Sequence, residues 1–173
     1  DSVSGDGEKT VLVSPAGNLY FSLGTCVTDL FESYTTGEGR EEYFEWVPEK
    51  GGEFDTAFSG GQFSYYIANR IKKTGEPFDA ASWYDEMVER LKKWGFTGVG
   101  CWSRAADAQR NQFPYVVEVK IAESGISRFG GPGYEDMPDA FAPDFEQKIM
   151  DYVASAVAGN KDDPALIGYF FGN

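Results

Sequence analysis

Histidine is absent from all 173 residues, so acid–base and nucleophilic chemistry falls to carboxylates, hydroxyls, amides and two thiols. A Ser-His-Asp or Cys-His triad cannot be built within the chain, and a zinc site would have to rely on two cysteines and carboxylates. Residues able to handle a ligand recur at one kind of place, following or ending an apolar run read as a strand: Asp29, Trp102, Ser103, Glu123 and Asn173. Parallel α/β folds gather their sites at such carboxyl ends. The last run, Asp163 to Asn173, stops on Gly172-Asn173 and so places an amide there. Cys26 and Cys101 both fall inside predicted strands, and three readings stay open: buried free thiols, a disulfide between neighbouring strands, or half of a metal site. The glycine-rich loop Ser124 to Met137 has no phosphate fingerprint between a strand and the first turn of a helix. No metal and no cofactor is expected.

The elements that must position these residues follow from periodicity. Asp1 to Lys9 is polar and Gly/Ser-rich, which predicts a mobile arm. Thr10 to Val13, the turn Ser14 to Asn18 and the residues after it suggest a small hairpin. Leu19 to Val27 is apolar apart from small residues, the pattern of a strand covered on both faces. Thr28 to Gly61 is a long insertion rich in Glu, Gly and aromatics; Tyr34, Tyr43, Phe44 and Trp46 either pin it to the body or stack on a sugar, pinning being the commoner use of aromatic area.

Gln62 to Lys73 repeats Phe63, Ile67 and Ile71 every fourth residue, a helical spacing. A clearer helix runs from about Ala80 to Trp94, with Trp83, Met87, Val88, Leu91 and Trp94 inward, Asp85, Glu86, Glu89, Arg90 and Lys92 outward, and Ser82 as cap. Strands follow at Phe96 to Trp102 and Tyr115 to Ala122, joined by a short helix at Ala105 to Asn111. Glu118 and Lys120 alternate with valines on the latter strand and must find partners if it is central, one option being a pair between the two. Pro143 to Ala158 is an amphipathic helix with Phe145, Ile149, Val153 and Val157 as its buried stripe, and Ala165 to Phe171 is the final strand. Repeated βα units point to a parallel sheet with right-handed crossovers, either doubly wound or half of an eight-fold barrel.

Composition bounds the partners. With 42% hydrophobic and 16% aromatic residues the chain can bury an ordinary core. Its formal charge of −13 repels phosphate backbones and anionic membranes, so no nucleic-acid or membrane partner is expected. No apolar run approaches the roughly 18 residues of a membrane span. The start at Asp1, without Met or a signal-like segment, suggests a processed chain or an excised piece.

The passages Ser14 to Gly24, Arg90 to Ser103, Pro114 to Glu118 and Asp162 to Asn173 resemble, in order, the first four strands of clan A glycoside hydrolases, closest to the β-agarase type. The resemblance runs from about residue 10 to the end, and the second- and fourth-strand passages are its most specific parts. It implies a (β/α)8 barrel of the TIM type, of which this chain supplies about the first four βα units over 10–173, with 28–61 inserted. It further implies retaining cleavage of a polysaccharide by two glutamates about 5–5.5 Å apart. In that family the acid/base glutamate follows an asparagine at the end of the fourth strand. Asn173 matches that asparagine, which implies a hydrogen bond to a sugar 2-hydroxyl; Trp102 matches a substrate-facing aromatic. Asp29, Ser103 and Glu123 would join them on one rim.

Neither catalytic glutamate is assigned in this chain, so it is expected to be inactive alone. The partners expected are a polysaccharide or oligosaccharide, together with the rest of the barrel or another chain covering strands 19–27 and 165–171. The alternative is a non-catalytic structural or carbohydrate-binding half barrel assembled with a partner. The expected location is secreted or periplasmic.

Overall fold

A computed structural model describes residues 2–5, 10–129 and 137–171. At the amino end, β1 (Ser2–Gly5), β2 (Thr10–Val13) and β3 (Leu19–Tyr20) form an antiparallel sheet in that order, with Ser2 opposite Val13 and Leu12 opposite Tyr20. Part of the expected arm is therefore a strand, because its backbone satisfies the outer edge of β2. Gly17, at φ 81°, makes the Ser14–Asn18 turn, where its N–H donates to the Ser14 carbonyl at 2.8 Å.

The run Leu19–Val27, expected as one strand covered on both faces, is divided between two sheets. After β3 the chain leaves the antiparallel sheet, and only β4 (Gly24–Thr25) joins the parallel one. The break is braced from far away in sequence. The Thr97 hydroxyl donates to the Phe21 carbonyl at 2.7 Å and accepts from the Leu23 N–H at 2.8 Å, while the Tyr20 hydroxyl donates to the Thr97 carbonyl at 2.8 Å. Leu19 and Phe21 are exposed, so their side of the run is open.

Residues 28–61, expected as an insertion, and the three that follow condense around a second antiparallel sheet of β5 (Tyr34–Thr35), β6 (Phe58–Ser59) and β7 (Gln62–Ser64), with β7 central. Their aromatics mostly pin them. Trp46 stacks against Phe54 and Tyr65, the Tyr65 hydroxyl donates to the Trp46 carbonyl, and Phe44 meets the edge of Phe63. Tyr43 stays exposed. Residues 62–64, expected as helix, are strand, and α1 (Tyr65–Thr74) begins only where the Ser64 hydroxyl accepts from the Ile67 N–H at 3.2 Å. Helix α2 (Ala80–Lys93) is capped by Asp79 rather than Ser82. The Asp79 carboxylate accepts from both the Ser82 N–H (2.9 Å) and its hydroxyl (2.5 Å), so Ser82 occupies the third helical position.

Next come β8 (Gly98–Val99), α3 (Ala105–Arg110), β9 (Tyr115–Glu118), the small antiparallel pair β10 (Arg128–Phe129) and β11 (Met137–Pro138), α4 (Phe145–Val157) and β12 (Leu166–Phe170). Strands β4 and β8 are parallel, Gly24 opposite Gly98, and so are β9 and β12, Phe170 opposite Glu118. The Val99 N–H donates to the Pro114 carbonyl at 2.8 Å and joins the two pairs, so β4, β8, β9 and β12 lie side by side in chain order.

Two apolar clusters support this α/β domain. Leu30, Ala57, Ile67, Ile71, Trp83 and Tyr84 tie the insertion to α1 and α2, while Val88, Leu91, Val99, Ala108, Phe113 and Tyr115 fill the space between α2, α3 and the parallel strands. The charged face of α2 is exposed as its periodicity predicts, but Trp94, expected inward, is 66% exposed. Helix α4 departs further: Phe145, Ile149, Val153 and Val157, expected buried, are only half-buried. Among the described residues no helix is long and apolar enough to cross a membrane.

Candidate saccharide site at the strand ends

The carboxyl ends of β4 and β8 are built alike. Val27 and Trp102 both take left-handed backbone conformations, φ 54° and 55°, which ordinary L-residues seldom adopt and β-branched ones least of all. Each turns the chain sharply off the ladder, and each is followed by a hydroxyl residue. The Val27 N–H donates to the Cys101 carbonyl at 2.8 Å, the Thr28 N–H donates to the Ser103 hydroxyl at 3.0 Å, and the Thr25 and Thr28 hydroxyls share a hydrogen bond of 2.8 Å. The two ends are thus locked into one rim.

That rim carries a cavity of about 530 Å³ lined by Asp29, Phe31, Trp102, Ser103, Glu118 and Lys120. Asp29 is fixed by accepting from the N–H groups of Leu30 (2.5 Å) and Phe31 (3.2 Å), which also sets Phe31 at the mouth. Trp102 rests edge-to-face on Phe170 of β12, centroids 5.5 Å apart. Two carboxylates, an ammonium, a hydroxyl and two aromatic rings around one hollow suit a hydroxyl-rich ligand with an apolar face.

Of the residues singled out from sequence, Asp29, Trp102 and Ser103 come together here. Glu123 does not: the expected strand to Ala122 stops at Glu118, and a 3-10 turn at Ile121–Glu123 carries Glu123 outward, where it pairs with Lys120 at 3.6 Å. Lys120 thus pairs with Glu123 rather than with Glu118, because the turn takes Lys120 off the strand's alternation. Asn173 lies outside the described residues, as does Gly130–Gly133 of the glycine-rich loop. Phe31, Glu118 and Lys120 are the lining residues that sequence reasoning missed. Glu118 offered a signal, a carboxylate at the end of an apolar strand; Phe31 offered none beyond its aromatic type.

Cys26 and Cys101 are free thiols, the first exposed and the second half-buried. Burial, and then the proximity of Cys26, push the Cys101 thiol above its ordinary value. Among the described residues no group of three or more His, Cys, Asp or Glu is placed to hold a metal ion.

At the opposite end of the parallel strands the contacts serve stability. The Tyr115 hydroxyl donates to the Asp163 carboxylate at 2.9 Å, and that carboxylate also accepts from the Ala165 N–H at 2.8 Å. Burial drives the Tyr115 hydroxyl well above its ordinary value. The Ala165 N–H, and then Tyr115, hold Asp163 below the usual carboxylate range.

The chain is similar to beta-agarase B of Vibrio sp. (strain JT0107), 27% identical over 95% of this chain and 21% of that protein. It is 30% identical to beta-agarase A of the same strain, over 94% of this chain and 18% of that protein. The chain thus spans about a fifth of the length of these curated relatives. Among solved structures it superposes on an agarase, AgWH50C, with a TM-score of 0.82 at 27% identity, and on PfGH50B with 0.77 at 25%; each match covers 99% of this chain and 28% of the other. An exo-beta-agarase superposes with 0.73 at 22% identity, over 99% of this chain and 30% of the other, which speaks for the fold alone. No family model matches the chain.

Proposed function

We propose that this chain forms the first four βα units of a (β/α)8 barrel that cleaves an agar-type polysaccharide with retention, and that its rim binds the sugar. The observation that carries the reading is that two parallel strand pairs, β4 with β8 and β9 with β12, are joined by the Val99 N–H to Pro114 carbonyl bond, and that the ends of the first pair bring Asp29, Trp102 and Ser103 around one cavity. The likeness to beta-agarases supports the substrate class. Trp102 offers its ring to the apolar face of a sugar, and Ser103 and Asp29 offer groups to its hydroxyls. Asn173 is the 2-hydroxyl ligand of the reading, and Glu123 has the weakest support because it points away from the cavity. The two catalytic glutamates are assigned outside these 173 residues, and the protein acts outside the cytoplasm.

A specific observation also supports covering of this chain by further structure. Leu19, Phe21, Trp94 and Phe171 are large apolar side chains left exposed on and beside the outer strands. The rest of the same barrel fits this need, and a separate partner chain on a non-catalytic half barrel is the alternative.

The test is Trp102→Ala in the full-length gene product, titrated with agar-derived oligosaccharides. Loss of a stacked ring should weaken binding by about 1–2 kcal/mol, roughly five- to thirtyfold. Unchanged binding at unchanged stability would show that the ring only packs on Phe170.

A further inference from the structure

Beside the rim cavity lies a second one, of about 450 Å³, whose lining includes Asp29, Phe31, Tyr34, Phe78, Tyr84 and Arg104. The two meet at Asp29 and Phe31, which line both. Each falls in the range of roughly 300–1,000 Å³ typical of small-ligand sites. The second is made almost wholly by the insertion and the start of α2, elements that the parallel strands do not need for their own pairing.

Its chemistry is that of an uncharged, hydroxyl-bearing ligand. Phe31, Tyr34 and Phe78 supply apolar surface, and Phe31 is 54% exposed although nothing in the fold requires an aromatic to stand in solvent there. Arg104 pairs with Asp107 at 2.9 Å, a carboxylate that Arg110 shares at 2.5 Å, and lies 4.9 Å from the Tyr84 ring centre, so it brings donors and a partly compensated positive charge. Asp29 adds a negative one, which disfavours sulfated or uronic units. Tyr84 is buried, and its hydroxyl makes no hydrogen bond of ordinary geometry among the described residues. Burial, and then the charge and close approach of the Asp29 carboxylate, push that hydroxyl well above its ordinary value, so Tyr84 and Asp29 face each other at the wall of the cavity.

We propose that this second cavity is an additional saccharide subsite, which holds a neutral sugar unit next along the chain from the one against Trp102, with Phe31 as the divider between them. The inference rests on the rim being the sugar site. It assigns to the insertion a role in recognising chain length, which the parallel strands alone do not have.

The experiment is calorimetric titration of the full-length gene product with agar-derived oligosaccharides from disaccharide to octasaccharide. Affinity should tighten about tenfold at the length that first reaches the second cavity, as one well-placed sugar contact would give. Ala80→Trp places an indole in the cavity from a half-buried position in the first turn of α2 that lines it, and should abolish that step while short oligosaccharides bind as before. Tyr84→Phe, a smaller change that keeps the ring, should reduce the step severalfold. Circular dichroism checks that both variants fold. If short oligosaccharides bind through Trp102 but length brings no gain, or if folded Ala80→Trp keeps the full step, the subsite is refuted and the rim site stands. If no oligosaccharide of any length binds, both fall.

Discussion

Gly98 is the closest backbone approach between β8 and the chain entering β9, and replacing it by alanine should damage the parallel sheet measurably. A Cβ there would stand 2.6 Å from the Pro114 carbonyl oxygen and 3.2 Å from its carbon, both backbone atoms. The strands would have to part by on the order of half an ångström to restore van der Waals contact. The Val99 N–H to Pro114 carbonyl bond, 2.8 Å in the native fold, is the link between the two strand pairs and would stretch with them. Overpacking of this kind costs about 1–3 kcal/mol, and a weakened buried backbone bond adds about 1 kcal/mol. Gly98→Ala should therefore destabilise by about 2–4 kcal/mol, or lower Tm by about 4–16 °C for a chain of this size. Gly168→Ala is the matched control, since a Cβ at Gly168 meets nothing within 4 Å and its φ is not in the left-handed region. It should be neutral or gain about 0.4–1 kcal/mol from the unfolded chain. Urea unfolding followed by tryptophan fluorescence compares the two. Equal effects would refute the argument from close approach.

Ser64→Ala should cost about 1–2 kcal/mol in the same assay, because the buried hydroxyl caps α1 through Ile67 and shares a hydrogen bond of 2.8 Å with the Ser33 hydroxyl. A loss below a few tenths would show that water replaces it. Asp163 is held below its unfolded value, so its contribution is present above the ordinary carboxylate pKa near 4 and fades as pH falls through the lower folded value. Stability measured from pH 7 down to 3 should fall less steeply in Asp163→Asn than in the native chain; parallel curves would sink this reading. Thiol titration without reductant should find two thiols in unfolded protein, and in native protein the exposed Cys26 should react before Cys101, whose thiol is raised by burial. No titratable thiols in the unfolded sample would instead establish the disulfide.

What could be read from sequence were features carried by local periodicity. The inward and outward faces of α2 are set by residues three and four apart, and the apolar runs around Gly98, Tyr115 and Leu166 mark strands wherever they pair. What escaped was decided by partners far along the chain. The break in Leu19–Val27 depends on Thr97, which no window around residue 20 contains. The cap of α2 was displaced by three residues because Ser82 and Asp79 are both good caps, and only the bond between them says which one stands outside the helix. The stripe of α4 has the period of a covered helix face, yet its residues are only half-buried, which periodicity alone does not tell apart.

The site followed the same division. That Asp29, Trp102 and Ser103 lie just past strands was legible, because a strand end is a place that sequence can find, but the way they are presented was not. A valine and a tryptophan at φ 54° and 55° contradict the local preferences of both residue types. Residues held in this region cost about 1–3 kcal/mol each, and persist only where their surroundings over-determine them. Here the surroundings are visible: Val27 is tied through its N–H to Cys101, and Trp102 lies between that carbonyl and a Ser103 hydroxyl bonded to Thr28. Each strained residue is held by the strand end that carries the other. The strain is therefore shared by a pair, and its effect is to send Asp29 and Trp102 off their strands into one cavity rather than onward along the ladder. Glycine at either position would remove the strain, and at position 102 it would also remove the ring that the turn presents.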